Sequence, residues 1–251
     1  DQVSVNYDDN GNSNTSFTGS TSVETDSDGV TTTTVSADTA GSATIDAKSN
    51  LKQGSAELTI NKPSLSVALN DTEVTAGTTA SANSTVTFAN NGTAAEGATV
   101  NVTGAGVSVD NQTTDANGNA TFTVSPDEAG TITVDATKSG TNAGQATIDV
   151  VRQSVALNVT ANATTVTEGD AVKFTVTRDD TDATVDANVT VDGTTYQTGS
   201  DGEVAVTLDT AGDFTATAEK ADTSTETFTS DSVDITVQEP AAFDVSFDAS
   251  P

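Results

Sequence analysis

Apolar residues recur at every second position along most of the chain, in short runs broken by Gly, Asp, Asn and Pro. That rhythm predicts β-strands with one buried face, joined by turns. The clearest stretch runs from Thr114 to Ala136. Asp115, Asn117 and Gly118 supply turn chemistry, since Asp and Asn side chains bond nearby backbone and Gly accepts positive φ. Ala120, Phe122 and Val124 then share one face, with Thr121, Thr123 and Ser125 on the other. A second turn from Pro126 to Gly130 leads to Ile132, Val134 and Ala136, and the two strands are expected to form a β-hairpin.

The same pattern appears twice more. Upstream, Thr25 to Gly29 precede Thr31, Thr33 and Val35, then Ala40-Gly41 and Ala43, Ile45 and Ala47. Downstream, Ser200-Asp201-Gly202 precede Val204, Val206 and Leu208, then Ala211-Gly212 and Phe214, Ala216 and Ala218. The turn glycines at 29, 118 and 202 are spaced by 89 and 84 residues, about the length of one small sandwich domain.

A Thr-x-x-x-Gly turn, an alternating strand, an Ala-Gly turn and a closing strand ending near Ala resemble the bacterial immunoglobulin-like domains of the intimin and invasin type. Similar domains are arrayed in surface proteins of salt-loving archaea. The resemblance implies an all-β chain of tandem immunoglobulin-like β-sandwiches joined by short linkers. The expected units are a partial domain at 1–63, full domains at 64–151 and 152–238, and a spare strand at 239–251. The linkers, Lys62-Pro63 and Arg152-Gln153, leave little freedom, and proline is expected to stiffen the first joint, giving a semi-rigid rod.

The ends of the pattern are uneven. The middle unit opens with Leu65, Val67 and Leu69 and the last with Val155, Leu157 and Val159, but the first has no room for one or two such strands before its turn. After Pro240, Phe243, Val245 and Phe247 alternate as an opening strand does. A window cut from a longer repeat array would look this way, and the Asp1 start fits a processed or excised end. The alternative is that this strand completes the open sheet of a second copy, a head-to-tail contact that builds filaments.

Charge narrows the setting. Against 37 acidic residues stand 8 basic ones, a net charge of −29, which excludes nucleic acid as a partner. So large an excess repels itself unless ions screen it, and molar salt shortens the screening length to roughly 3 Å. The composition is that of a halophile's protein, with an ordinary acidic secreted protein as the other reading. Val far outnumbers Leu, as strands prefer, so thin cores rich in Ala and Thr are expected. No run approaches the roughly 18 apolar residues of a membrane span, and no signal peptide is visible; any anchor is expected outside this chain.

Chemistry is sparse. With no His and no Cys, Ser-His and Cys-His nucleophile systems and zinc sites built on those ligands are excluded, and no enzyme is expected. No cofactor is required, though calcium suits turns crowded with Asp and Asn because it binds about six to eight oxygens. Its candidate ligands are Asp26, Asp28, Asp115, Asn117 and Asp201 at the repeated turn and Asp179, Asp180 and Asp182 in a separate loop; plain turn chemistry is the competing explanation. Sequons for glycosylation occur at Asn14, Asn70, Asn83, Asn91, Asn101, Asn111, Asn119, Asn158, Asn162 and Asn188.

These features lead to a non-enzymatic extracellular protein at a cell or virion surface, a stalk, surface-array or filament subunit. Its partners would be copies of itself, other surface-layer subunits and cations. A second reading is an adhesin or a virion spike or tail component that binds a cell-surface partner, marked by exposed aromatics on a divergent terminal domain. Only Tyr7, Phe17 and Tyr196 lie outside the repeated strand cores. A third, a carbohydrate-active module, lacks the aromatic platforms that sugars stack on.

Overall fold

In the computed structural model, which describes residues 3–11, 15–37, 39–50 and 52–242, all regular structure is β. Among the described residues there is no helix. The strands fall into three groups, and every ladder stays within one group.

The first group comprises β1 (Ser4–Asp8), β2 (Thr15–Phe17), β3 (Ser22–Glu24), β4 (Val35–Ala37), β5 (Gly41–Lys48) and β6 (Gln53–Ile60). The middle group comprises β7 (Leu65–Leu69), β8 (Glu73–Thr75), β9 (Ala80–Phe88), β10 (Thr99–Gly104), β11 (Val107–Thr113), β12 (Asn119–Val124), β13 (Gly130–Thr137) and β14 (Gly144–Val151). The last comprises β15 (Gln153–Ala161), β16 (Thr165–Thr167), β17 (Ala171–Arg178), β18 (Asn188–Val191), β19 (Thr194–Gln197), β20 (Glu203–Thr207), β21 (Gly212–Glu219), β22 (Glu226–Thr229) and β23 (Asp231–Gln238).

The middle group forms two sheets, β11-β10-β13-β14-β8 and β12-β9-β7, and the last repeats the plan as β16-β23-β21-β18-β19 and β20-β17-β15-β22. Short parallel strands, β8 on β14 and β16 on β23, cap one edge of each larger sheet. Two sheets, Greek-key connections and alternate residues turned inward make each an immunoglobulin-like sandwich. The cores are separate: one holds Val86, Val100, Phe122, Val124, Ile132 and Ile148, the other Val172, Phe174, Val176, Val189, Ala216 and Ile235.

One expectation fails. The strands on either side of Pro126 do not form a hairpin: β12 pairs with β9, whereas β13 pairs with β10 and β14 in the opposite sheet. Phe122 and Ile132 therefore enter the same core from opposite layers rather than side by side in one sheet, both nearly inaccessible at 3% and 0%. The alternation is the same in a hairpin and in an arch between layers, so it does not choose between them. Likewise, the last repeat's β20 and β21 lie in different sheets.

The first group keeps one layer and a fragment of the other. Its sheet, β3-β1-β5-β6, matches β11-β10-β13-β14, and β2 pairs with β4 as a two-stranded ribbon. Residues 31–34, read as strand, carry no ladder; Thr34 O instead accepts from Thr18 N and Gly19 N at 2.9 and 3.1 Å. Buried positions among the described residues of this group are Thr15, Thr25 and Ala43. Leu58, which occupies the register position of Ile148 and Ile235, is 38% exposed where they are 0%. The candidate donor residues Phe243, Val245 and Phe247 lie outside the described residues.

Because Ile148 fills a closed core and Leu58 does not, truncation should separate them. Ile148→Ala is expected to cost about 2–5 kcal/mol and Leu58→Ala about 1 kcal/mol or less, read from denaturant unfolding at fixed high salt.

Candidate functional site

The thrice-repeated turn is a structural joint built on a threonine. Thr114 and Thr198 are buried, and each hydroxyl bridges two segments. Thr114 Oγ1 accepts from Ala98 N at 2.9 Å and donates to Ala95 O at 2.6 Å. Thr198 Oγ1 accepts from Ala187 N at 2.8 Å and donates to Val185 O at 3.0 Å. In the first group Thr25 Oγ1 accepts from Val3 N at 3.0 Å. A hydroxyl satisfies both partners while sealed from water, which a methyl cannot do. The residue type was in the repeat, but its role was legible only once the backbone groups around it were placed.

Beyond the threonine the chain turns tightly. Asp115 Oδ1 accepts from Asn117 N and Asn119 N at 2.9 and 2.8 Å, and Asp26 Oδ1 accepts from Asp28 N and Val30 N, both at 2.9 Å. Asp201 sits two places later in its turn and accepts only from Glu203 N, at 3.1 Å. The turn then docks on a strand: Gly118 O accepts from Val86 N at 2.8 Å, and Gly202 O from Val176 N at 2.9 Å. Both glycines have positive φ, and a Cβ on either would overlap the carbonyl oxygen of Val86 or Val176. Gly29 has φ +77° as well, but nothing lies within 4 Å of its Cβ position. The backbone hydrogen bonds of the turn are the same in all three groups, while the strand it docks on is described only in the last two.

Of the possible calcium ligands, Asp26, Asp115 and Asp201 thus spend an oxygen on their own turns, and Asp28 and Asn117 are exposed. In the separate loop, Asp180 is held by Arg178, whose Nε and Nη2 donate to it at 2.9 Å each. Arg178 Nη1 also donates to Glu226 Oε1 at 2.7 Å, and Gln153 Nε2 donates to Asp180 Oδ2 at 3.2 Å. Asp179 and Asp182 stay exposed beside it. The guanidinium's hydrogen bonds hold the Asp180 carboxyl below the usual carboxylate range, and the same bonds, Asp180 first and Glu226 second, raise Arg178. Among the described residues, no three or more His, Cys, Asp or Glu come together as a metal site.

The sequons scatter. Asn14 lies outside the described residues. Asn101, Asn111 and Asn188 are exposed on strands, and Asn188 lines a cavity of about 360 Å³ with Asp186, Gln197, Glu219 and Lys220. Asn91 Oδ1 accepts from its own sequon's Thr93, through backbone and hydroxyl, at 3.0 and 2.8 Å. Asn70 and Asn162 are exposed and spend Oδ1 on Asn83 N and Lys173 N. Asn83, Asn119 and Asn158 are half-buried; Asn119 Oδ1 accepts from Thr85 at 2.8 Å, and the buried Asn83 Oδ1 has no hydrogen-bond partner.

Fold, strand order and repeated turn define a tandem immunoglobulin-like β-sandwich protein. No family model matches the chain, and no curated protein does. Among solved structures it is similar to the Yersinia pseudotuberculosis adhesin InvE, at 20% identity over 69% of this chain, with TM-score 0.37; the match spans 58% of the InvE chain. It is similar also to the D0-D1 domain of intimin, at 22% identity over 68% of this chain and 97% of that one, with TM-score 0.29. Domains 4–9 of the surface layer protein SbsC match at 21% identity over 83% of this chain and 36% of that one, with TM-score 0.26. InvE and intimin are proteins of the type that the turn motif resembles, and at these scores the fold assignment rests on the strand order and cores given above.

If docking on the strand is what constrains the turn, glycine replacement should depend on the neighbour. Gly118→Ala is expected to cost several kcal/mol because backbone must move, and Gly29→Ala only about 1–2 kcal/mol, from φ alone. Thermal or denaturant unfolding of the two variants measures the difference. Asp180 has a depressed carboxyl, so its contribution is fully present above its unfolded value of about 4 and is lost as pH falls through the lower folded value. Acid unfolding of Asp180→Asn should therefore show less pH dependence below about pH 4 than the unsubstituted chain.

Proposed function

We propose that the chain is a non-enzymatic, extracellular structural protein of a halophile, serving as a stalk, surface-array or filament subunit. The observation that carries the reading is the series of separately cored sandwiches with one residue, Arg152, between β14 and β15. Such modules transmit position along a line instead of enclosing a substrate. The net charge of −29 supports a setting of high salt, and the acidic surface would hold hydrated cations, calcium among them. Exposed sequons at Asn70, Asn91, Asn101, Asn111, Asn162 and Asn188 are the best placed to carry glycans.

Assembly by strand donation belongs to the same reading. The uncovered face around Leu58 accepts an added strand, and residues 243–247 of a second copy alternate as such a strand does. Electron microscopy of the purified chain in concentrated salt should then show filaments, with monomers after removal of residues 239–251 or in Leu58→Asp. Filaments that survive both changes would rule out strand donation. Isolated particles in every sample, each carried by a dissimilar tip, would favour an adhesin or spike instead. Melting with and without chelator, together with intact mass, tests the cation and the glycans: a lowered midpoint and added mass are expected.

A further inference from the structure

The loops that meet the preceding unit differ in length between the two sandwiches. In the middle group Val134 lies opposite Ala146, and in the last group Ala216 lies opposite Val233, so the connection between those strands is five residues longer in the last. The added length forms β22 and an arm, residues 221–225.

The arm reaches back to the middle sandwich. Ala129 N donates to Ser224 O at 3.0 Å. Thr225 places its Cγ2 3.5 Å from the Cβ position of Gly77, an ordinary packing distance, so the arm lies against that turn. Gly77 N donates to Pro126 O at 2.7 Å, which ties together the two turns that receive the arm. The arm's root is equally held. Gln153 N donates to Thr225 O at 2.8 Å, Phe228 N to Asp222 Oδ1 at 3.0 Å, and β22 runs parallel to β15. Arg178 anchors Glu226 at 2.7 Å, and Arg152 reaches Asp222 at 3.5 Å.

Among the described residues, no backbone hydrogen bond of this kind spans the earlier joint. The shorter loop of the middle group folds onto the linker, with Asn142 N donating to Pro63 O at 2.9 Å. At its tip, nothing lies within 4 Å of a Cβ position on Gly140. Between it and the first group lies a cavity of about 240 Å³, lined by Ala37, Ala40, Ile60, Pro63 and Gly140 among others. Ala40 occupies the place that Ala129 takes in the next unit, yet it faces this gap.

We propose that residues 221–225 are a latch that locks the last sandwich to the middle one, and that the chain bends at Asn61–Pro63, a rigid pair carrying one swinging unit. The latch is independent of whether the chain forms filaments. Because the chain has no Cys, paired introduced cysteines carry spin labels at unique sites. Pulsed dipolar spectroscopy should give a narrow distance distribution for T121C with T207C and one at least about twofold broader for T59C with T121C. Ala129→Pro, which removes the donated N–H, combined with Thr225→Gly should broaden the first pair toward the second while leaving the β circular dichroism unchanged. Equal widths in the unsubstituted chain would overturn the proposal, as would a latch variant that folds and keeps the narrow distribution. Should that variant misfold, the comparison between the two unsubstituted pairs still decides.

Discussion

Each full sandwich depends on the turn that carries the chain from one layer to the other, and on the bond that seats its end: the carbonyl of a turn glycine, Gly118 or Gly202, accepts from the amide of Val86 or Val176 and opens the ladder of the second layer. A side chain at the glycine would displace that contact, and the buried threonine four positions earlier holds the other end of the turn. Thin cores need such fixed points. Where large apolar residues are few, satisfied backbone groups at the turn that crosses between layers add fixed points to a thinly filled core. The first group shows the same turn without the docked strand among its described residues, and there Leu58 and Val30 are 38% and 56% exposed.

What the sequence made legible follows from this division. Alternation predicted the inward residues well, since Val124, Ile132, Val134, Val172 and Val176 are all fully buried. Partner choice was hidden, because an apolar face on β12 or β13 looks the same whichever strand lies beside it. Strands as short as β8 and β16 were also invisible, for three residues carry too little alternation to register. The expectation that proline stiffens the first joint came from its fixed φ, a local constraint that says nothing of contacts made by distant loops. At the second joint a loop that follows the linker by some 70 residues bonds to the middle sandwich, a contact that appears only when the chain is folded.

The candidate chemistry was the least legible part. Asp-rich turns read equally as cation sites and as turns, and the structure shows oxygens of Asp26, Asp115 and Asp201 accepting from nearby backbone amides. Ion pairing is local, with Arg178 between Asp180 and Glu226 as the best-formed group. The large acidic remainder faces solvent, where salt and not protein must balance it. A surface of that kind supports the proposed role of a spacer in high salt.

Amide hydrogen exchange in concentrated salt tests the docked turn most directly. Val86 and Val176 should belong to the slowest-exchanging class and open only with global unfolding of their own sandwich, while Thr32, beside the undocked turn, exchanges fast. Val86 and Val176 amides that exchange as quickly as Thr32 would contradict the account.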